Sequence, residues 1–270
     1  FDETQGILQI RRNNNVAKII DGQHRIAGLE NYSGSPFFVN ATVFLDMELE
    51  DQAMVFATIN LKQTKVSKSL AYDLYDFAKN RSPQKTCHNI AKFVNFRDDS
   101  PLKGRVKILG KATGQGLELI TQATFVDRLL KLISKDPMSD KDKLKRGKPI
   151  TPASVDEQKS LVFRNRFIEE KDAEIAKCLW NYFQAVAQRW PKAWNTGDPG
   201  MILARTTGFA ALIRLLPHIL ASKNIGTQIP DVDAFLSYFR KVTLKDNDFN
   251  SDRFKPGSSG EADLVRVLQL

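Results

Sequence analysis

The stretch Val16-Ala-Lys-Ile-Ile-Asp-Gly-Gln-His-Arg-Ile-Ala-Gly-Leu29 constrains the fold more than any other part of the chain. It opens with a β-branched run, Val16 to Ile20, that reads as a buried strand. Asp21-Gly22 breaks the run, and Gly22 supplies backbone freedom that other residues lack. Ile26 and Leu29 then resume at helical spacing around Ala27 and Gly28. A strand, a one-glycine turn and a helix start make a geometry suited to anions, because the first N–H groups of a helix are unpaired and its dipole favours negative charge there. Arg25 adds a fork that matches phosphate oxygens, with Gln23 and His24 beside it. The same residues also read as a plain polar turn in which Asp21 caps a helix.

Around this stretch the chain divides by pattern. Gly6 to Arg12 reads as a strand, and Asn13-Asn14-Asn15 as a turn that makes a hairpin with the next one. Phe37 to Met47 alternates and is rich in β-formers, so a further strand is expected. Glu48 to Asn60 is amphipathic, and Asn60 ends its apolar run. Ser67 is an N-cap candidate for Lys68 to Asn80, Ser82-Pro83 starts a helix to about Phe96, and Lys103 to Gly110 reads as a short basic strand. Thr121 to Lys135 carries Phe125, Leu129, Leu132 and Ile133 at helical spacing. Residues 137–160 are charged, hold prolines and have almost no large apolar side chains, which predicts a linker or mobile loop. Helices follow at Ile168 to Trp190, at Leu212 to Leu220 with a kink at Pro217, at Asp231 to Val242, and at the C-terminus from Leu264. The expected architecture is α+β. It has a small N-terminal mixed sheet in residues 1–136, the linker 137–160, and a helical domain in 161–270.

The signature residues carry a likeness to a known family. Asp21-Gly22-Gln23-His24-Arg25 resembles the motif of the DGQHR-domain family, which includes DndB-like regulators associated with DNA phosphorothioate modification. A second block in the right order, Phe56-Ala-Thr-Ile-Asn60 followed by Val66-Ser-Lys-Ser-Leu70, is similar to the family's F-x-x-I-N and V-S-x-S-L segments. That family in turn resembles the ParB/sulfiredoxin superfamily, in which a comparable turn holds the phosphates of a nucleotide or of the DNA backbone. The resemblance covers Ile7 to about Leu74 well and the remainder loosely. It implies a ParB-like strand–turn–helix and a DNA-binding regulator of a bacterial DNA-modification or defence system. Phosphate or nucleotide binding is implied at Gly22, Gln23 and Arg25, with a nucleoside triphosphate such as ATP and Mg²⁺ as the implied cofactor. DNA, protein components of a DNA-modification system and a second copy in a homo-oligomer are the implied partners.

Further candidates surround this reading. Asn60, Lys62 and Lys65 lie near two helix ends and are expected to address the same anion as Arg25. Near the C-terminus, Phe254-Lys-Pro-Gly-Ser-Ser-Gly-Glu-Ala-Asp-Leu264 sets glycines and serines before an amphipathic helix. Ser258 and Ser259, with Lys255 and Arg205 in support, are phosphate candidates there; capping by Ser259 is the competing reading. The Gly-Lys-Ser/Thr element of a P-loop is absent, which excludes an ordinary P-loop NTPase. An enzymatic alternative, a nucleotide triphosphatase or ParB-like nuclease, would use Asp21 to hold a divalent ion and His24 as general base. A structural adaptor in a defence complex is the third reading.

Composition agrees with a basic partner-binding protein. Net charge is +9, from 40 Lys and Arg against 31 Asp and Glu, which suits contact with phosphates. Arg11, Arg12, Lys145 and Arg146 are the backbone-contact candidates, although a basic run such as 141–148 reads equally as a solvated loop. The 2 cysteines, Cys87 and Cys178, lack metal-ligand spacing, so reduced structural thiols are expected and no metal site. No signal-peptide pattern opens the chain and no apolar run reaches the roughly 18 residues of a membrane span, so a cytoplasmic location without membrane contact is expected. The first residue is Phe1 rather than Met, from which upstream sequence is expected.

Overall fold

A computed structural model describes residues 1–270 apart from 3, 14, 61–66, 115–116, 223–227 and 270, and in the helix Leu49–Asn60 the side chains of 50, 54, 57, 58 and 60 also lie outside the description. The chain forms two units, Phe1–Val66 and Ser67–Leu270.

The first unit holds α1 (Gln23–Ala27) and α2 (Leu49–Asn60). Its strand expectations are corrected: among the described residues of Gly6 to Arg12, Val16 to Ile20 and Phe37 to Met47 there is no strand, and one isolated bridge joins Asp2 to Ile7. None of the unit's described side chains is buried. β-branched side chains favour strands when they pack on a half-buried pleated face. Here Val16, Ile19, Phe37 and Val43 are exposed, so that stabilisation is missing and these three segments form no sheet among the described residues.

The second unit is mostly helical. It begins with α3 (Lys68–Asp73), capped by Ser67, whose hydroxyl accepts from the Leu70 N–H, and continues into a 3₁₀ turn, Leu74–Phe77. Next comes α4 (Pro83–Phe96), capped by Ser82 with proline at its first position. A parallel pair follows, β1 (Val106–Lys107) and β2 (Ile120–Thr121), in register Val106–Ile120 and Lys107–Thr121. Thr121 then caps α5 (Gln122–Leu130), and Asp136 caps α6 (Pro137–Lys145). The remaining helices are α7 (Arg164–Ile168), α8 (Asp172–Arg189), α9 (Pro191–Asn195), α10 (Thr206–Ser222), α11 (Val232–Phe239) and α12 (Ser258–Leu268). The fold is therefore α+β, with a small two-stranded parallel sheet in an otherwise helical unit. Among the described residues no helix is long and apolar enough to cross a membrane.

The core is a run of aromatic rings along α8. Phe183 stacks on Trp194 of α9 at 5.3 Å and on Phe209 of α10 at 5.4 Å, and Phe209 stacks in turn on Phe125 of α5 at 5.2 Å. One residue back, Tyr182 meets Phe235 and Phe239 of α11, while its hydroxyl donates to the buried Leu212 carbonyl at 2.8 Å. Trp190 closes the helix end against Phe249 and donates its indole N–H to the Leu244 carbonyl. Cys87 and Cys178 are buried free thiols in α4 and α8. Burial pushes Cys178 up to about 12 and Cys87 well above the usual thiol value, so neither is a ready thiolate.

The linker expectation for 137–160 is also corrected. That segment contains α6 and a 3₁₀ turn at Glu157–Lys159, and Asp140 and Lys141 are buried. Its buried acid, Asp140, is paired inside the fold. Arg164 grips Asp140 at 2.6 and 3.1 Å and also donates to the carbonyls of Ile133 and Thr151, and the Ser134 hydroxyl donates to Asp140.

Burial by itself would raise the Asp140 carboxyl, but the Arg164 and Ser134 hydrogen bonds outweigh it and hold the group below the usual carboxylate range. A carboxyl depressed on folding stabilises the native state above its unfolded value of about 3.9, and that contribution is lost as pH falls through the lower folded value. Asp140→Asn leaves the Arg164 cation buried without its counter-charge and is expected to cost about 3–5 kcal/mol at neutral pH. Urea unfolding of both proteins should show the difference narrowing below about pH 4. A second substitution, Phe183→Ala, is expected to cost about 3–5 kcal/mol in the same assay.

Candidate functional site

The turn at Asp21 is built locally. Gly22 sits at φ 100°, in the left-handed region that favours glycine, and opens the short α1. Asp21 does not cap this helix; its Oδ2 accepts from Arg25 Nη2 at 2.7 Å. Gln23 reaches back instead, donating its amide to the Ile19 carbonyl at 3.2 Å and folding the turn onto the preceding chain. His24 is exposed. The Arg25 side chain is 77% exposed, and a surface pair of this kind is worth only about 0–1 kcal/mol, so the guanidinium is readily available to a stronger anion. Asp21 is thereby the partner of Arg25 in this turn.

Asn60 is the last residue of α2, its side chain outside the described residues, and Lys62 and Lys65 also lie outside them. Ser258 and Ser259 belong to the second unit and occupy the first turn of α12; they are exposed, and Gly257 rather than either serine is the N-cap. Gly260 is required there because a Cβ would run into the Lys255 backbone. Arg205 donates through Nε to the Met201 carbonyl and through Nη2 to those of Gly197 and Asp198. The buried Glu261 of α12 is gripped by Arg128 through both oxygens at 2.7 and 2.5 Å.

Of the backbone-contact candidates, Arg11 and Arg12 are exposed in the first unit, and Lys145 and Arg146 are exposed at the end of α6, where Arg146 pairs with Asp142 at 3.0 Å. The charge is divided unevenly between the units. Residues 1–66 hold 6 Lys and Arg against 8 Asp and Glu, a net −2, and residues 67–270 hold 34 against 23, a net +11. The basic excess thus belongs entirely to the helical unit.

One cluster has the residue types of a metal centre. Donor atoms of Asp73, Asp76 and His88 lie within 4.8 Å of one another. The hydrogen bonds assign a different role. Gln122 Oε1 accepts from the Leu109 N–H at 3.2 Å, which places the amide nitrogen of Gln122 against His88 Nδ1 at 2.8 Å. Nδ1 therefore accepts, the ring proton is on Nε2, and Nε2 donates to Asp76 at 2.8 Å. Lys92 takes the other Asp76 oxygen at 2.5 Å. A metal on Nε2 would force the proton onto Nδ1, against an N–H₂ group. The set is a latch between the 3₁₀ turn and α4. Burial works to raise Asp76, but Lys92 and His88 prevail and lower it.

Protein-family models, curated proteins and solved structures were all compared with the chain, and none matches it.

The tautomer is directly checkable. Long-range ¹H–¹⁵N spectra of the histidine rings should show His88 protonated at Nε2, and Gln122→Leu should relax that preference. A ring protonated at Nδ1 in the wild type would reopen the metal assignment.

Proposed function

We propose that this chain is a DNA-binding regulator of a bacterial DNA-modification or defence system, of the DGQHR-domain, DndB-like kind. The helical unit meets the duplex electrostatically, and the Asp21–Arg25 turn takes a phosphate or a nucleotide. The observation that carries the reading is the division of charge, net +11 on residues 67–270 against net −2 on residues 1–66. A surplus of that size on one unit favours a polyanion through phosphate contact and counterion release, largely without regard to sequence. The turn adds a second element. It presents an exposed Arg25 beside a left-handed Gly22, and its sequence resembles the ParB-like turn that holds phosphates. A bound phosphate would compete with Asp21 for Arg25, and ATP with Mg²⁺ is the cofactor this likeness favours. Arg11, Arg12, Lys145 and Arg146 are the proposed backbone contacts, with Gly22, Gln23 and Arg25 at the nucleotide.

The test is a binding titration of the full chain with ATP, CTP, GTP and duplex DNA in the presence of Mg²⁺. Arg25→Ala should weaken nucleotide binding by about 1–3 kcal/mol, the range of charge-assisted hydrogen bonds. Lys145→Glu with Arg146→Glu should weaken duplex binding and leave nucleotide binding in place. Binding of neither ligand contradicts the proposal and favours a protein-only partner.

A further inference from the structure

The second unit buries one guanidinium without an acidic partner. Arg105 is 6% exposed. Its Nε donates to the Pro101 carbonyl at 2.9 Å, Nη1 to the Trp194 carbonyl at 2.7 Å and Nη2 to Asn195 Oδ1 at 2.8 Å. The group also lies over the Trp194 ring at 4.7 Å. All three acceptors are neutral, and a guanidinium has five N–H donors, so two remain. The other buried arginine, Arg164, is matched by Asp140. Burial pushes Arg105 down to about 10, which still leaves it charged at neutral pH. An uncompensated buried charge is costly, and proteins ordinarily pair it.

Arg105 lines an open cavity of about 340 Å³ between α8 and the 98–105 loop. That size falls in the ligand-pocket range of about 300–1,000 Å³. Gln184 and Gln188, one turn apart on α8, border the same cavity, and neither has a hydrogen-bond partner among the described residues. Lys103 borders it as well. Two carboxylates stand at the rim, but Asp98 is paired with Lys103 at 2.5 Å and Asp99 with Arg97 at 3.6 Å. The four charged lining residues balance, and of them Arg105 is the buried one.

We propose that this cavity binds a phosphate-type oxyanion, held by the free N–H groups of Arg105 and the carboxamides of Gln184 and Gln188. The site stands independently of the Asp21–Arg25 turn. The oxyanion comes either from a free phosphate or nucleotide or from a nucleic-acid backbone, since both present the same oxygens to the guanidinium fork.

The experiment uses the full chain and the double variant Gln184→Leu/Gln188→Leu, which removes the amide donors without changing charge and leaves the structural bonds of Arg105 alone. Thermal unfolding is followed with inorganic phosphate against chloride at equal ionic strength, and duplex affinity is measured at fixed salt. The wild type is expected to gain a saturable rise in Tm from phosphate, with an apparent Kd about tenfold weaker in the double variant. No phosphate effect, together with duplex affinity about tenfold weaker in the double variant, also supports the site and assigns it to a backbone phosphate. Phosphate stabilisation retained in full by the double variant overturns the proposal. So does the absence of any phosphate effect when duplex affinity is unchanged.

Discussion

The helical unit depends on the stacking of Phe183 between Trp194 and Phe209. Through those two rings α8 is fixed to α9 and α10, and through Phe209 and Phe125 to α5. Tyr182, the next residue of α8, fixes α11 by the same means. Ring pairs of this kind contribute about 0.5–1.5 kcal/mol each beyond the area they bury. Their arrangement also decides which helix faces inward, and so where the charged side chains are left. Several of those charges fasten the outer helices to this core. Arg81 joins α8 through Asp172, Arg164 joins α6 through Asp140, and Arg128 joins α12 through Glu261. Each pair is bidentate, which fixes geometry as well as charge.

Helix starts were legible from local chemistry because capping is a local interaction. Ser67, Ser82, Thr121 and Asp231 all accept from the backbone N–H three residues on. The apolar face of α8 was legible for a similar reason, since Ile175, Leu179, Tyr182, Phe183 and Val186 repeat at helical spacing and are buried. Trp194 is core as well. Strands fared otherwise. Val16 to Ile20 and Phe37 to Met47 have the right residues, but a strand needs a ladder partner and a covered face, and neither is a property of the segment itself. The only ladder among the described residues joins Val106 and Lys107 to Ile120 and Thr121, of which just the first strand was expected. The charge of residues 137–160 suggests solvent, whereas Asp140 is paired inside the fold by Arg164, 24 positions away.

The candidate site was legible only in part. The turn chemistry of Gly22 and the exposure of Arg25 follow from the motif, but the pairing of Arg25 with Asp21 is a geometric fact that the motif does not announce. Arg205 looks freely basic in sequence, yet three of its donors go to local carbonyls. Arg105 gave no local signal, because its significance lies in lacking an acid among neighbours that sequence separates by about ninety positions. Charge tells a similar story at larger scale. The net +9 of the chain conceals a near-neutral first unit and a strongly basic second one.

That division is what supports the proposed electrostatic contact between the helical unit and a nucleic-acid backbone. The most direct measurement is the salt dependence of duplex affinity for the full chain, taken on two unrelated sequences. Phosphate contact predicts a linear fall of log K with log salt, with a slope of about −0.9 for each phosphate neutralised, and the same slope on both duplexes. Affinity that does not change with salt, or no duplex binding even at low salt, would contradict it.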